Sequence, residues 1–272
     1  MSPRWRDEIH LLLTPGRVAL RRYARGLRPA LAQDQWREVP GAPLRWEPAL
    51  EALEALLAAA PARGADATVV LSSHFVRYCL VPQSELLATR EDEARFARHN
   101  FIRIHGAAAE GWSVRVSAAD GVAGGSGVAS AIEQELVDAL RELARRHGLR
   151  ARALQPALMA AFNRARASLP AGGCRLLVLE PGLAVSALLE PGWRRVRSQR
   201  LSAPLAQALG ALLERERALE GEGPAGAVTC VLPLLDPGEP LAEIPGVELR
   251  ALDALWPDAS AAQAATASRN AA

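Results

Sequence analysis

The chain has 272 residues, of which 50% are hydrophobic, and this composition excludes an intrinsically disordered protein. The formal net charge of +2 and an aromatic content of 4% argue against a nucleic-acid-binding protein with a strongly basic surface. All 32 basic side chains are arginine, so the chain has neither a Schiff-base lysine nor the lysine of a phosphate-binding loop.

Cysteine spacing, histidine spacing and hydropathy argue against metal-binding, membrane-spanning and secreted proteins. The cysteines Cys79, Cys174 and Cys230 form no C-x-x-C pair, and His99 and His105 have no third ligand nearby, so we expect no metal site. No window reaches the roughly 18 consecutive apolar residues that indicate a membrane span. The charged N-terminus is not followed by the apolar core of a signal peptide. We therefore expect a cytoplasmic protein, peripheral at a membrane only through a partner.

The N-terminal block begins with three hairpin-linked strands. Residues 8–13 are an apolar strand, Thr14-Pro15-Gly16 is a turn in which we expect a positive φ at the glycine, and 17–26 is the second strand. A weaker third strand is predicted at 29–38. The elements that follow it up to the middle of the chain are a helix at 47–60, strands at 65–73 and 74–81, a helix that Thr89 and Asp92 cap, and strands at 112–117 and 126–131.

The middle of the chain gives the strongest helix prediction, residues 132–147. Ile132, Leu136, Leu140 and Leu143 share one face, and Gly148 stands at the position where a helix ends in a left-handed residue. A strand near 150–154 and a helix that starts at Pro156 follow. The glycine-rich loop at 120–127 is interpreted as a hairpin loop because the residues after it favour a strand.

A second block repeats the order of the first. Its predicted elements are strands at 174–180, 183–189 and 193–201, a helix from Pro204, and strands at 226–232 and 247–252. Residues 258–272 have no core-building pattern, so we expect a disordered tail. Three hairpin-linked strands followed by alternating helices and strands, twice, predict an α/β fold with mixed sheets in two lobes.

This duplicated βββαβα order resembles the actin-like (ribonuclease H-like) ATPase fold. Within that fold the chain resembles the PilM/GspL-type cytoplasmic domains of type IV pilus and type II secretion assemblies. The segments that carry the resemblance are VVLSSHFVRYCLVP at 69–82, FIRIHG at 101–106, Trp112, ARALQPALMAAFNRAR at 151–166 and LLVLEPG at 176–182. The resemblance implies a first lobe over 1–172 with an inserted subdomain around 83–131, and a shortened second lobe over 173–257.

ATP-binding members of the fold use two Asp-x-Gly hairpins as phosphate clamps and a paired-glycine motif for adenosine. At the corresponding places this chain has Thr14-Pro15-Gly16 and Glu180-Pro181-Gly182. The first turn lacks the acid, and Pro181 removes a backbone N–H from the second. The third region, VTCVLPLLDPGEP, has no glycine pair. The departures favour a protein without catalysis or cofactor, whereas retained binding of ATP and Mg²⁺ would use Thr14, Gly16, Glu180 and Gly182.

The strand WRRVRSQR at 193–200 is a second candidate site. In a regular strand Trp193, Arg195 and Arg197 lie on one face, where they would form a docking edge for an acidic peptide. The alternative is an ordinary solvated outer strand.

The leading functional hypothesis is a non-catalytic scaffold of a type IV pilus or type II secretion-like assembly. The resemblance implies that its partner is a short cytoplasmic segment of an inner-membrane protein, and an assembly ATPase is a further candidate partner. The alternatives are an ATP-binding ATPase of the same assembly class and an unrelated α/β binding module.

Overall fold

The structure is a computed structural model, which describes residues 6–24, 26, 30–41, 44–117, 126–170, 173–190, 192–201, 205–220, 228–235 and 248–256. Three predictions fall outside these ranges. They concern the disordered tail at 258–272, most of the loop at 120–127 and the helix start at Pro204.

The chain forms thirteen named strands and five α-helices within the described ranges. The strands are β1 (Glu8–Leu13), β2 (Arg17–Ala24), β3 (Ala30–Glu38), β4 (Asp66–Leu71), β5 (Arg77–Val81), β6 (Trp112–Ser117), β7 (Gly127–Glu133), β8 (Arg150–Pro156), β9 (Cys174–Glu180), β10 (Leu183–Leu189), β11 (Trp193–Arg200), β12 (Thr229–Pro233) and β13 (Leu249–Ala251). The helices are α1 (Glu47–Ala59), α2 (Arg90–His105), α3 (Gln134–Arg146), α4 (Ala157–Ala165) and α5 (Leu205–Glu220).

Two five-stranded sheets have the same topology. The first has the order β3-β2-β1-β4-β8 and the second has the order β11-β10-β9-β12-β13. In each sheet the first three strands in sequence are antiparallel neighbours, and the fourth strand is parallel to the first. The predicted α/β class with mixed sheets and a duplicated order is therefore confirmed. A separate three-stranded sheet has the order β5-β7-β6.

Backbone hydrogen bonds repeat between the two sheets as well. The N–H of Val39 donates to the carbonyl of Gly16, and the N–H of Leu201 donates to the carbonyl of Gly182, both over 3.0 Å. Each bond ties the residue after the third strand to the glycine of the first hairpin. The duplication thus extends to the way each third strand is anchored.

Contacts divide the chain into two compact units. One contains residues 1–77, 98–115 and 130–157, and the other contains 78–97, 116–129 and 158–272. The predicted boundary at residue 172 separates the two copies of the repeated strand order, not these two units, and it stays a prediction.

Leucine-rich faces form the core of the first unit. Helix α1 packs on β1, β2 and β3 through a stripe at helical spacing, and α3 packs against β8. The buried side chains of α1 are Ala49, Leu53, Leu56 and Leu57. Those of α3 are Leu136, Val137, Leu140, Leu143 and Ala144.

Both predicted helix ends have the expected chemistry. The Thr89 hydroxyl accepts from the N–H of Asp92 over 3.1 Å, and the Asp92 carboxylate accepts from the N–H of Thr89 over 3.3 Å, which is a capping box. Helix α3 ends in a Schellman motif. The N–H of Gly148 donates to the carbonyl of Arg145, and the N–H of Leu149 donates to the carbonyl of Ala144. Gly148 has a φ of 65°, as this ending requires.

The second sheet has a packed cluster on each face. One face carries Cys174, Leu176 and Val178 of β9, with Leu158 and Ala161 of α4 in the same cluster. The other face carries Leu177, Leu179, Ala184 and Val231, which pack with Leu209, Leu212 and Leu213 of α5. Successive residues of a strand point to opposite faces of the sheet. Because both faces are covered here, β9 is buried along its whole length.

Two local predictions are wrong. Ile132, predicted on the α3 face, lies in β7, because β7 continues to Glu133 before the helix starts. The predicted strand at 74–81 starts later, at Arg77, since a short 3₁₀ turn at Ser73–Phe75 comes first. The Ser72 hydroxyl accepts from the N–H of His74 and stabilises this turn. Among the described residues no helix is long and apolar enough to cross a membrane.

Candidate functional site

The first predicted phosphate hairpin uses its only hydroxyl internally. The Thr14 side chain donates to the carbonyl of Arg17 over 2.7 Å and accepts from the N–H of Arg17 over 2.9 Å. Thr14 is also 2% exposed. The hydroxyl would have to give up its bond to the Arg17 carbonyl before it could donate to a phosphate oxygen.

The second predicted hairpin is a tighter turn. Glu180 pairs directly with Leu183, so only Pro181 and Gly182 form the loop. Gly182 has a φ of 72°, which with a preceding proline is typical of a type II turn. Gly16 is not among the described glycines with positive φ, and the expectation for that turn is wrong, because the first hairpin has a longer loop closed by the Thr14 side chain.

Glu180 is the acid that the ATP-binding alternative requires. It is 4% exposed and stands at the end of β9. Residues 236–240 of the predicted adenosine region lie outside the described ranges, and 229–233 form the buried strand β12. A nucleotide role for Thr14, Gly16, Glu180 and Gly182 stays a prediction.

The predicted docking strand β11 has a different side-chain arrangement from the one expected. A bulge shifts the register, so that Leu189 pairs with Trp193 and Leu188 pairs with Arg195. Since Leu188 and Leu189 point to opposite faces, Trp193 and Arg195 do too, and the predicted common face is wrong. Trp193 is 3% exposed and packs on Phe162 with ring centroids 4.7 Å apart.

Arg195 and Arg197 lie on the face that α5 covers. Arg197 is 3.9 Å from the Glu216 carboxylate, which also accepts from the Ser186 hydroxyl over 3.3 Å. Glu216 and Ser186 are both 3% exposed. A docking role for Trp193, Arg195 and Arg197 stays a prediction.

A polar cavity of about 210 Å³ in the first unit is the candidate site that the structure adds. Charged and aromatic side chains from separate parts of that unit surround it. Its lining includes Leu44, Arg45, Trp46, Glu47, His74, Arg77, Trp112 and Glu133. We refer to it as the Trp46 cavity.

Two helix N-termini meet at the Trp46 cavity. Trp46 is the N-cap residue of α1 and Glu133 is the N-cap residue of α3, and neither side chain caps its own helix. Instead the indole N–H of Trp46 donates to the Glu133 carboxylate over 2.7 Å. The partial positive charge at each helix N-terminus favours the carboxylates of Glu47 and Glu133 there.

Three charged side chains lie at the cavity beside Glu133. Arg45 and Glu47 form a pair with N···O 2.6 Å, and the bond from Arg45 lowers the pKa of the Glu47 carboxyl. The second oxygen of Glu47 is buried and accepts no hydrogen bond from the described residues. Arg77 donates to the carbonyls of His74 and Val76 over 3.1 and 3.0 Å. The cavity is therefore lined by two carboxylates and two guanidinium groups.

An aromatic cluster positions Trp112 at the cavity. Its ring lies 6.2 Å from Phe101, which is 1% exposed, and 5.1 Å from His105. Burial, followed by the charge of Arg77, lowers the pKa of His105 and so favours the neutral imidazole. A flat indole, carboxylates and guanidinium groups together suit an extended peptide, with its alternating polar and apolar groups.

Sequence reasoning missed this cavity because its residues are far apart in the chain. Trp46 and Glu133 are separated by 87 positions. A tryptophan directly before a helix with Pro48 in its first turn was the one local signal, since it occupies an N-cap where a Ser or Asp is usual. Among the described residues no cluster of three or more His, Cys, Asp or Glu could hold a metal ion.

The chain has structural relatives but no match at the level of sequence families. No protein-family model matches it, and no curated protein matches it. A chain of the PilM–PilN type IV pilus biogenesis complex aligns with a TM-score of 0.63 and 19% identity, over 95% of this chain and 92% of that one.

Two further solved structures align over most of their length. The cytoplasmic domain of EpsL, an inner membrane component of the type II secretion system of Vibrio cholerae, gives a TM-score of 0.59 at 12% identity, over 91% and 90% of the two chains. A Bacteroides thetaiotaomicron protein of unknown function with an actin-like ATPase fold gives 0.59 at 10% identity, over 86% and 84%. The chain therefore has the actin-like ATPase fold, in a form that resembles the PilM and GspL-type cytoplasmic domains.

Proposed function

We propose that this protein is a non-catalytic component of a type IV pilus or type II secretion-like assembly. It binds a short cytoplasmic segment of an inner-membrane partner and works on the cytoplasmic side of that membrane. The observation that carries the proposal is the alignment of 95% of the chain with a chain of a PilM–PilN complex. The alignment with the EpsL cytoplasmic domain supports the same class of assembly.

The two hairpins support the non-catalytic part of the proposal. Catalysis of phosphoryl transfer depends on carboxylates and backbone N–H groups aimed at phosphate and magnesium. Here Thr14 stands where the fold's ATPases have an acid, and its hydroxyl is bonded within its own turn. Pro181 removes one N–H from the other turn. A fold can persist after its chemistry is lost.

The Trp46 cavity is where we place the partner segment. It combines the indole faces of Trp46 and Trp112 with the carboxylates of Glu47 and Glu133. Leu44 at its edge is 51% exposed and adds an apolar contact for an entering side chain. Binding sites in proteins commonly join apolar walls to a small number of well-placed polar groups.

The test is affinity purification of the tagged protein from native membranes, with mass spectrometry of the recovered proteins. Leu44→Arg places a bulky cation at the mouth of the cavity, and because Leu44 is half exposed we expect the fold to tolerate it. The matched control is Leu86→Arg, since Leu86 is 89% exposed and does not line the cavity.

The expected result is that wild type and Leu86→Arg recover the same inner-membrane protein, and that Leu44→Arg recovers several-fold less of it. Recovery of soluble metabolic enzymes alone would overturn the assembly role. Equal recovery of that membrane protein by all three proteins would agree with the assembly role. It would also mean that the partner does not bind at the Trp46 cavity.

A further inference from the structure

The outer edge of β11 differs in charge from its counterpart in the repeated topology. Strand β11 stands at one end of the second sheet, as β3 stands at the same end of the first. Its sequence WRRVRSQR contains four arginines and no acid. Strand β3, ALAQDQWRE, contains two acids and one arginine. The position in the fold therefore does not dictate a basic edge.

The edge also offers backbone groups in a defined order. The N–H of Leu201 donates to the carbonyl of Gly182, and in an antiparallel pair such bonds recur at every second residue. Gln199, Arg197 and Arg195 therefore bond to β10, and the N–H and C=O groups of Val196, Ser198 and Arg200 point away from the sheet. On that outer side the described residues supply only an isolated bridge between Ser126 and Trp193.

The arginine side chains along the edge are accessible. Arg194, Arg197 and Arg200 are exposed. Arg197 is held near Glu216, and the Nε of Arg194 donates to the carbonyl of Glu190 over 2.8 Å.

We propose that the outer edge of β11 from Arg195 to Arg200 is a second docking surface, which takes an acidic, extended segment of a partner protein as an added strand. The backbone groups of Val196, Ser198 and Arg200 pair with the segment. Carboxylates at alternate positions of the segment meet Arg195 and Arg197, which share one face of the sheet. The surface lies in the second unit, so it adds a partner to the one proposed for the Trp46 cavity.

Charge complementarity selects this occupant. Charged side chains of either sign can protect an edge strand from unwanted pairing. Four arginines in eight residues with no acid among them give this edge a single sign of charge, and the two that share a face, Arg195 and Arg197, match a segment with alternating acids. Trp193 is buried at one end of the strand and fixes its position on the sheet.

The experiment measures fluorescence anisotropy of a labelled peptide of alternating Glu and Thr, about eight residues long to match the strand, titrated with the full chain. A peptide of alternating Gln and Thr is the neutral control. We expect the acidic peptide to bind and the neutral one to bind about tenfold more weakly. Binding should weaken as salt is added.

Two kinds of variant distinguish the contribution of the arginine charges to binding from that of the backbone hydrogen bonds. Arg195→Gln with Arg197→Gln should weaken binding about tenfold, whereas Arg37→Gln on β3 should leave it unchanged. Ser198→Pro removes an N–H that faces away from β10, so the sheet should persist while binding is lost. Ser198→Ala keeps the N–H and should bind as wild type does. Circular dichroism and thermal melting check the fold of each variant.

Equal binding of the acidic and neutral peptides would overturn the proposal. So would undiminished binding by the double arginine variant, which keeps the test decisive even where Ser198→Pro does not fold. Concentration-dependent self-association of wild type that the double arginine variant abolishes would show that a second copy, not an acidic segment, occupies the edge.

Discussion

The indole N–H of Trp46 donates a 2.7 Å hydrogen bond to the carboxylate of Glu133, and these two residues begin helices α1 and α3. The bond joins the starts of two helices that both pack in the first unit. It holds one indole face and one carboxylate at the wall of the Trp46 cavity. The same contact thus links the wall of the cavity to the starts of both helices.

Trp46→Phe should test that contact. Phe keeps a smaller aromatic ring, but the donor is lost, so the free energy of unfolding should fall by about 1 kcal/mol or more. Urea denaturation at pH 7 measures the change. Glu133→Gln keeps an acceptor and should cost less than Trp46→Phe. A larger loss for Glu133→Gln would mean that the charge at the α3 N-terminus matters more than the bond.

Glu47 should make stability depend on pH. Its hydrogen bond from Arg45 lowers the pKa of the carboxyl in the folded state below its ordinary value. A carboxyl with a lowered folded pKa stabilises the fold above the unfolded pKa and loses that contribution as the pH falls through the folded pKa. In urea denaturation, Glu47→Gln should therefore approach wild-type stability as the pH drops below about 4.5. An unchanged difference between pH 7 and pH 3 would contradict this.

Two glycines should respond in opposite ways to alanine. Gly148 has a φ of 65°, and an added Cβ would meet only the Arg63 side chain at 3.5 Å, so the backbone conformation is the cost. Gly148→Ala should lower the free energy of unfolding by about 1 kcal/mol. Gly210 lies inside α5 with open space around its Cβ position, so Gly210→Ala should raise it by about 1 kcal/mol. Thermal melting of both variants checks the signs.

The buried thiols should be inert in the folded protein. Burial raises the pKa of Cys174 to about 12, and burial also raises the pKa of Cys230. Because the thiolate is the reactive form, neither should react with a thiol reagent at pH 8 until the chain unfolds. Labelling with and without urea, followed by mass spectrometry, measures this. Rapid native labelling of either residue would mean that the second sheet opens often.

Mg-ATP should not stabilise this protein if the proposed function is right. A ligand at 100 times its Kd adds about 2.7 kcal/mol to the free energy of unfolding, which thermal melting detects easily. We expect no shift. A shift of several degrees that Glu180→Ala abolishes would instead establish the ATP-binding alternative.

The order of strands and helices along the chain could be predicted from the sequence because hairpins and helices are local structures. Apolar runs separated by Pro-Gly turns defined β1–β2 and β9–β10, and the spacing of leucines defined α1 and α3. The bulge at Trp193 could not be predicted, since one extra residue leaves the composition of a strand unchanged while it reverses the face of each residue beyond it.

The Trp46 cavity could not be predicted from the sequence for a different reason. It depends on contacts among α1, the turn at Ser73–Phe75, β6, β7 and α3, and no local pattern records that these meet. Thr14 could be interpreted only in part from the sequence. The missing acid was visible in the sequence, but the two bonds between its side chain and Arg17 were not.

The central claim is that the Trp46 cavity holds a segment of an inner-membrane partner. A photo-cross-linking amino acid in place of Leu44, which is 51% exposed at the cavity, tests it in intact cells. The same amino acid in place of Leu86 is the control. We predict a cross-link from position 44, absent from position 86, to a cytoplasmic segment of an inner-membrane pilus or secretion component. Cross-links from position 44 to soluble proteins alone, or none in cells that build the assembly, would contradict the claim.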